Sequence, residues 1–212
     1  MKKAARFWDK AAEKYDKAEK RFEPVHSNIL QHTKKYLHEN DIVLDYGCAT
    51  GSKVFELAGS VKEIYGIDIS SKMIEKAEKR LIDKNAANIS FSQADIFDKK
   101  IMKSFYSVIT AFAVLHLIEN SHEVIHRTAE LLKPGGLFLS ATPCFKEKMD
   151  LSNKLQMPLY SILSKTGIIP IKLNRFKFSD LENLLSNENY EIMETEKYFH
   201  EMSSYFIAAR KL

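Results

Sequence analysis

Three aspartates, each at the end of an apolar run, are the residues whose types and spacing could do chemistry. Asp45 closes Ile42-Val43-Leu44, Asp68 closes Ile64-Tyr65-Gly66-Ile67, and Asp95 closes Ile89-Ser90-Phe91-Ser92-Gln93-Ala94. Two glycines, Gly47 and Gly51, follow the first acid in the stretch Gly47-Cys48-Ala49-Thr50-Gly51. A carboxylate at the end of a buried strand can accept hydrogen bonds from a ligand hydroxyl, amine or ammonium. A glycine turn opening a helix brings backbone N–H groups and a positive dipole end to the same place. Singly, each acid also reads as a capping or solvated aspartate, but three at successive strand ends do not.

The turn and the acids together restrict the ligand. Asp68 lies about 20 residues after Gly47, the distance at which an acid meets a ribose diol. That feature suits any adenosine-containing cofactor, NAD and S-adenosylmethionine alike. A dinucleotide turn requires G-x-G-x-x-G, and here Ala49 and Ser52 occupy the second and third glycine places. A P-loop requires Gly before its Lys, and here Ser52 precedes Lys53. Asp45 just before the turn also disfavours a pyrophosphate, since two like charges would meet in a low-dielectric cleft. An acid there suits a cationic group such as a methionine ammonium, and Asp95 can accept from an adenine amine.

The elements that must carry these residues follow from the hydrophobic pattern. Continuous apolar runs alternate with segments of helical spacing: Val54, Phe55, Leu57 and Ala58 after the turn, and Met73, Ile74, Ala77 and Leu81 after a Ser70 or Ser71 cap. A fourth strand is expected over 105–113, a helix over 122–132, and a fifth strand over 137–142 behind the turn Lys133-Pro134-Gly135-Gly136. A helix from Ser179 to about Ser186 and strands over 190–198 and 205–210 complete the pattern. The expected fold class is therefore α/β, a doubly wound, seven-stranded, mostly parallel sheet with an antiparallel C-terminal strand. Residues 1–40 read as two helices, the first with Phe7, Ala11, Tyr15, Ala18 and Phe22 on one stripe and the second starting near Pro24. They form an N-terminal helical lid or merely cover a sheet face. Residues 41–143 read as the cofactor-binding core, 144–177 as an insert capping the substrate, and 178–212 as the closing helix and strands, all in a single domain.

The composition excludes several classes. The chain has 212 residues, 45% hydrophobic and 28% charged, with 32 basic and 28 acidic side chains. A net charge of +4 is too mild to argue for nucleic acid. The first residues lack the apolar core of a signal peptide, and no run approaches the roughly 18 residues of a membrane span. Cys48 and Cys144 have no metal-ligand spacing and read as reduced thiols of a cytoplasmic protein. No metal is expected.

The motif Val43-Leu44-Asp45-Tyr46-Gly47-Cys48-Ala49-Thr50-Gly51 resembles motif I of the class I S-adenosylmethionine-dependent methyltransferases. Tyr65-Gly66-Ile67-Asp68-Ile69-Ser70 resembles the family's ribose strand, Gln93-Ala94-Asp95-Ile96 its adenine corner, and Leu131-Leu132-Lys133-Pro134-Gly135-Gly136 its turn before the fifth strand. The terminal Tyr205-Phe206-Ile207-Ala208-Ala209-Arg210-Lys211 is similar to the family's last strand. The resemblance is close over about residues 40–143 and looser at both ends, where Phe7-Trp8-Asp9-Lys10-Ala11-Ala12-Glu13-Lys14-Tyr15-Asp16 is similar to quinone-biosynthesis methyltransferases. It implies a Rossmann-like methyltransferase fold with S-adenosyl-L-methionine held by Asp45, Gly47, Cys48, Gly51, Asp68, Ile69, Met73, Asp95, Ile96 and Ala111. Ala49 departs from the usual middle glycine, which should narrow the turn.

The sulfonium methyl is already activated, so alignment of the acceptor matters more than acid–base chemistry. Two residues are candidates for a catalytic role. His116, just after the fourth strand, is the nearest base to the cleft by pattern, or else a structural histidine. Tyr15 resembles the aromatic that folds over the methionine end in relatives, or else belongs to the core. The Leu, Ile and Met content of 144–177 favours a small, apolar methyl acceptor, and the same stretch also reads as a homodimer face or a contact with a membrane surface. A cofactor-binding relative acting through a protein partner is the alternative function, with an NAD-dependent oxidoreductase behind it.

Overall fold

A computed structural model describes residues 2–166 and 169–212. Gly167 and Ile168, expected in an apolar loop, lie outside the described residues. Seven strands form one sheet: β1 (Ile42–Tyr46), β2 (Glu63–Asp68), β3 (Ile89–Gln93), β4 (Tyr106–Phe112), β5 (Leu132–Pro143), β6 (Tyr190–His200) and β7 (Met202–Lys211). Their spatial order is β3-β2-β1-β4-β5-β7-β6. Strands β1 to β5 pair in parallel, and β7 runs antiparallel to both β5 and β6. The expected sheet is thus observed, closed by one reversed strand.

The helices are α1 (Lys2–Glu19), α2 (Glu23–Lys34), α3 (Ser52–Leu57), α4 (Ser71–Lys84), α5 (Ser121–Leu131), α6 (Leu151–Lys165) and α7 (Phe178–Ser186). A strand buried on both faces must present apolar residues to each, and successive side chains do so. Leu44, Ile109, Phe138 and Ile207 join Val124, Ile125, Leu181 and Leu184 of α5 and α7 in one core. Their strand neighbours Val43, Val108, Leu139 and Phe206 join Val25, Ile29, Val54 and Ile74 of α2, α3 and α4 in the other. Ser70 caps α4 by accepting a hydrogen bond from Met73 N–H at 3.1 Å, as its position in the sequence implied.

The last two strands run longer than expected, meeting at His200 and Met202, and two further differences bear on the site. Strand β3 stops at Gln93: Ala94 N–H makes the last ladder bond, to the Asp68 carbonyl at 3.0 Å, and Asp98 N–H then bonds locally to the Asp95 carbonyl at 2.9 Å. Asp95 therefore sits on the following turn. The Lys133-Pro134-Gly135-Gly136 turn lies inside β5 as a bulge, where the register against β4 jumps between Tyr106 and Val108 and Gly135 takes φ +71°.

The order reverses between β1 and β4: the chain leaves β1 for β2 and β3 on one side, then returns to β4 on the other. Connections peel apart at that point and leave a crevice at the carboxyl ends of the strands, where open α/β sheets bind ligands.

Candidate functional site

The turn after β1 forms one wall of that crevice. Gly47 (φ +76°), Ala49 (φ +48°) and Gly51 (φ +77°) all lie in the left-handed region, so the backbone reverses tightly. Gly47 and Cys48 both donate N–H bonds to the Ile67 carbonyl at 2.9 and 3.0 Å, which pins the turn to β2. A Cβ at Gly51 would come within 2.6 Å of the Phe91 ring, so only glycine fits between the turn and β3.

Asp68, half-buried at the end of β2, fastens the turn from the other side. Its Oδ2 accepts from Ala49 N–H at 3.1 Å and its Oδ1 from Ser70 N–H at 2.8 Å. Burial pushes its carboxyl up, and these two bonds oppose the shift. Each oxygen retains acceptor capacity toward the crevice. Asp95 is half-buried opposite; its Oδ1 accepts from Phe97 N–H at 3.0 Å.

A cavity of about 1050 Å³ runs from the turn to the insert, slightly above the ~300–1,000 Å³ of small-molecule sites. Its turn end is lined by Tyr46, Gly47, Ala49, Asp68, Ile69, Met73, Asp95 and Phe97. Its far end is lined largely by apolar groups, among them Phe112, Val114, Leu117, Ile118, Ile171 and Leu173, with Tyr160 and Ser164 of α6. Lys3, Ala4, Trp8 and Tyr15 of α1 reach it from above.

Helix α1 is held over the turn by three of its acids. Asp9 Oδ1 accepts from Ser70 Oγ at 2.7 Å, Ser71 Oγ at 3.3 Å and Lys72 N–H at 3.1 Å, at the positive end of α4. Asp16 accepts from Thr50 Oγ1 at 2.6 Å and pairs with Arg80 at 2.7 Å. Glu19 pairs with Lys53 at 2.9 Å. Tyr15 is consequently sunk into an acidic region: burial, then Glu19, Asp68, Asp16 and Asp45, push its hydroxyl pKa well above the ordinary value.

Of the sequence-selected residues, Gly47, Asp68, Ile69, Met73, Asp95 and Tyr15 meet at this cavity. Six others lie behind its wall. Asp45 shares a sheet face with Val43, is 3% exposed, and accepts from Thr110 Oγ1 at 2.6 Å. Burial raises its pKa to about 6, Thr110 and Lys53 oppose this, and Asp68 adds to it. Cys48 turns toward Gly66 and Phe91, and burial with the nearby Asp45 and Asp68 raises its thiol. Gly51 caps α3. Ile96 and Ala111 are fully buried with the α5 core.

His116 is the sixth. It lies on a short 3-10 turn, Leu115–Leu117, with its ring edge-on to Phe145 at 5.6 Å and its Nδ1 without a partner among the described residues. Burial lowers its pKa to about 3. Trp8, Tyr46, Phe97, Ala113 and Val114 were missed. The residues beside each motif acid were the available signal: Tyr46 and Phe97 each stand within two positions of one. Among the described residues, no His, Cys, Asp or Glu cluster could hold a metal ion.

Comparison with known proteins agrees with this architecture. Residues 37–200 match the methyltransferase domain family model. A demethylmenaquinone methyltransferase of Lactococcus lactis is 29% identical over 55% of this chain and 50% of its own length. The chain spans about half the length of the first curated relatives it matches. A carboxy-S-adenosyl-L-methionine synthase of Desulfotalea psychrophila is 26% identical over 94% of this chain and 86% of its own. A chain of the Haloferax volcanii complex between the Trm112 methyltransferase activator and a methyltransferase superposes with a TM-score of 0.74 at 16% identity, covering 97% of this chain and 98% of that one. With the family model matched over most of its length, this chain belongs to the class I S-adenosylmethionine-dependent methyltransferases.

Proposed function

We propose that the protein transfers the methyl group of S-adenosylmethionine to a small, largely apolar acceptor. One observation carries this reading: a single cavity joins an acid-lined glycine turn to a mostly apolar chamber beneath the insert. Asp68 would receive the ribose diol and Asp95 the adenine amine, with Ile69, Met73 and Phe97 against the ring faces. The fit rests on the half-buried acids at the turn end, whose free lone pairs match hydroxyl and amine donors. Ile96 would contribute only its backbone N–H. Asp45 would act on the methionine ammonium through the turn, as fixed negative charge behind it.

Bound S-adenosylmethionine supplies a methyl that is already electrophilic. What the chain's own residues supply is alignment and dryness. Phe112, Val114 and Leu117 would hold an apolar acceptor against the methyl, Tyr15 would close the turn end, and α1 would serve as the lid. His116 reads as the structural histidine of its two readings, since its ring faces Phe145 and the cavity is lined by its neighbours Val114 and Leu117. No nucleic-acid partner is proposed.

Calorimetry with S-adenosylmethionine and with NAD, followed by labelled-methyl transfer into a cell extract and identification of the product, tests the proposal. Binding of the first cofactor and label in an apolar small molecule are expected. Cofactor binding without transfer to any component would favour the alternative, a binding protein serving a partner, and NAD binding would overturn both.

A further inference from the structure

We infer that α6 is a docking face for an anionic lipid bilayer. Leu151, Leu155, Leu159 and Ile162 are 72%, 71%, 58% and 58% exposed. At 100° per residue the four fall within about 80° of one another around the helix. Tyr160 and Ser164, on the opposite side, line the cavity, and Met157 there is buried with Phe145 and Met149. One helix therefore separates an exposed apolar stripe from the chamber proposed for the acceptor.

Charge selects the occupant. Residues 144–177 hold seven of the chain's 32 basic side chains and two of its 28 acidic ones, a net +5, which leaves the remaining residues at −1. The two acids are engaged locally: Asp150 Oδ1 caps α6 by accepting from Asn153 N–H at 2.8 Å, and Glu147 Oε1 accepts from Phe178 N–H at 3.1 Å. Exposed Lys154 and Arg175 have no acidic partner among the described residues. Lys148, over the half-exposed Phe199 ring at 4.4 Å, extends the apolar and basic surface from the start of the helix. An apolar stripe edged by the exposed Lys154 of the same helix, in a segment of net positive charge, is the pattern that settles into an anionic interface. A second copy of this chain would set like charges against each other. The stripe is also only about 22 Å by 10 Å for a 15-residue helix, short of the roughly 800 Å² per partner of a stable dimer. The bilayer would be the source from which an apolar acceptor enters the chamber; that last step rests on the function proposed above, whereas docking does not.

The test is cosedimentation of the full chain with vesicles of phosphatidylcholine mixed with phosphatidylglycerol, and with phosphatidylcholine alone. The protein is expected in the pellet with the mixed vesicles, less so without anionic lipid or at high salt. Leu155→Glu/Leu159→Glu should lower the partition more than about tenfold, and Lys154→Gln about fivefold on mixed vesicles. Ile82→Glu, at an 80% exposed site on α4, should change nothing. Thermal midpoints and S-adenosylmethionine binding should match across all three variants, which separates lost docking from lost folding or a failed cofactor reading. A wild-type chain that stays in the supernatant, a double variant that pellets like wild type, or a wild-type dimer that the double variant dissolves would each overturn the inference.

Discussion

Asp16 of α1 accepts a 2.6 Å hydrogen bond from the Thr50 hydroxyl, and Arg80 bonds both partners, to Asp16 Oδ2 at 2.7 Å and to Thr50 Oγ1 at 3.0 Å. The N-terminal helix is thereby tied to the middle of the glycine turn. Asp16→Ala should release the helix there and raise the S-adenosylmethionine dissociation constant about tenfold, the scale of one hydrogen bond to a charged group. Calorimetry measures it, and limited proteolysis within residues 2–19 should accelerate in parallel. Unchanged affinity with accelerated cleavage would remove the lid role from α1.

Asp68→Asn leaves one acceptor oxygen where two backbone N–H groups now bond. On the ribose contact proposed above, cofactor affinity should fall about a hundredfold. Stability should drop by about 1–2 kcal/mol for the N–H left unpaired. A variant that binds S-adenosylmethionine as wild type does would reassign the ribose site.

Asp45 links stability to pH. Its carboxyl is raised from 3.8 to about 6 by burial. Between those values the folded chain keeps the proton and the unfolded chain releases it, so this group makes stability fall as pH rises from about 4 to 6. Asp45→Asn keeps an acceptor for Thr110 and removes the buried charge. Its stability at pH 7.5 should rise relative to wild type by about 3 kcal/mol at most, seen as a higher thermal midpoint, while cofactor affinity falls. Circular dichroism melts across the pH range, set beside calorimetry, report the two effects separately.

His116 acts with the opposite sign. Burial lowers it from 6.5 to about 3. The unfolded chain therefore binds the extra proton between these values, and stability is lost as pH falls below 6.5. His116→Leu should flatten that part of the profile and leave methyl transfer at pH 8 within about threefold of wild type. A loss of a hundredfold or more would instead make the imidazole a general base.

Ala49 holds φ +48° without being glycine. Ala49→Gly should relieve about 1–2 kcal/mol of left-handed strain, partly offset by the entropy glycine adds to the unfolded chain. A gain of about 1–2 °C in thermal midpoint is expected. A lower midpoint would mean that the methyl group is better packed than its backbone is strained.

The sequence by itself determined the sheet, its order of elements and the family. Apolar runs ending in Asp45 and Asp68, with Gly47 and Gly51 between them, are local signals carried by backbone sterics and strand burial. Ser70 as a cap and Pro24 at a helix start are equally local. Which motif residues touch a ligand was decided only by tertiary structure, because strand alternation and long-range packing choose the face each side chain takes. Asp45 and Asp68 look alike as strand-end acids, yet one lies against Thr110 under the turn and the other opens to the cavity. His116 is one position from Leu117 and two from Val114, both at the cavity, but its ring is directed to Phe145. The clamp of Asp9, Asp16 and Glu19 on residues more than thirty positions away and the outward stripe of α6 have the same origin. A periodic pattern names an apolar face, and only the assembled fold determines whether that face is covered.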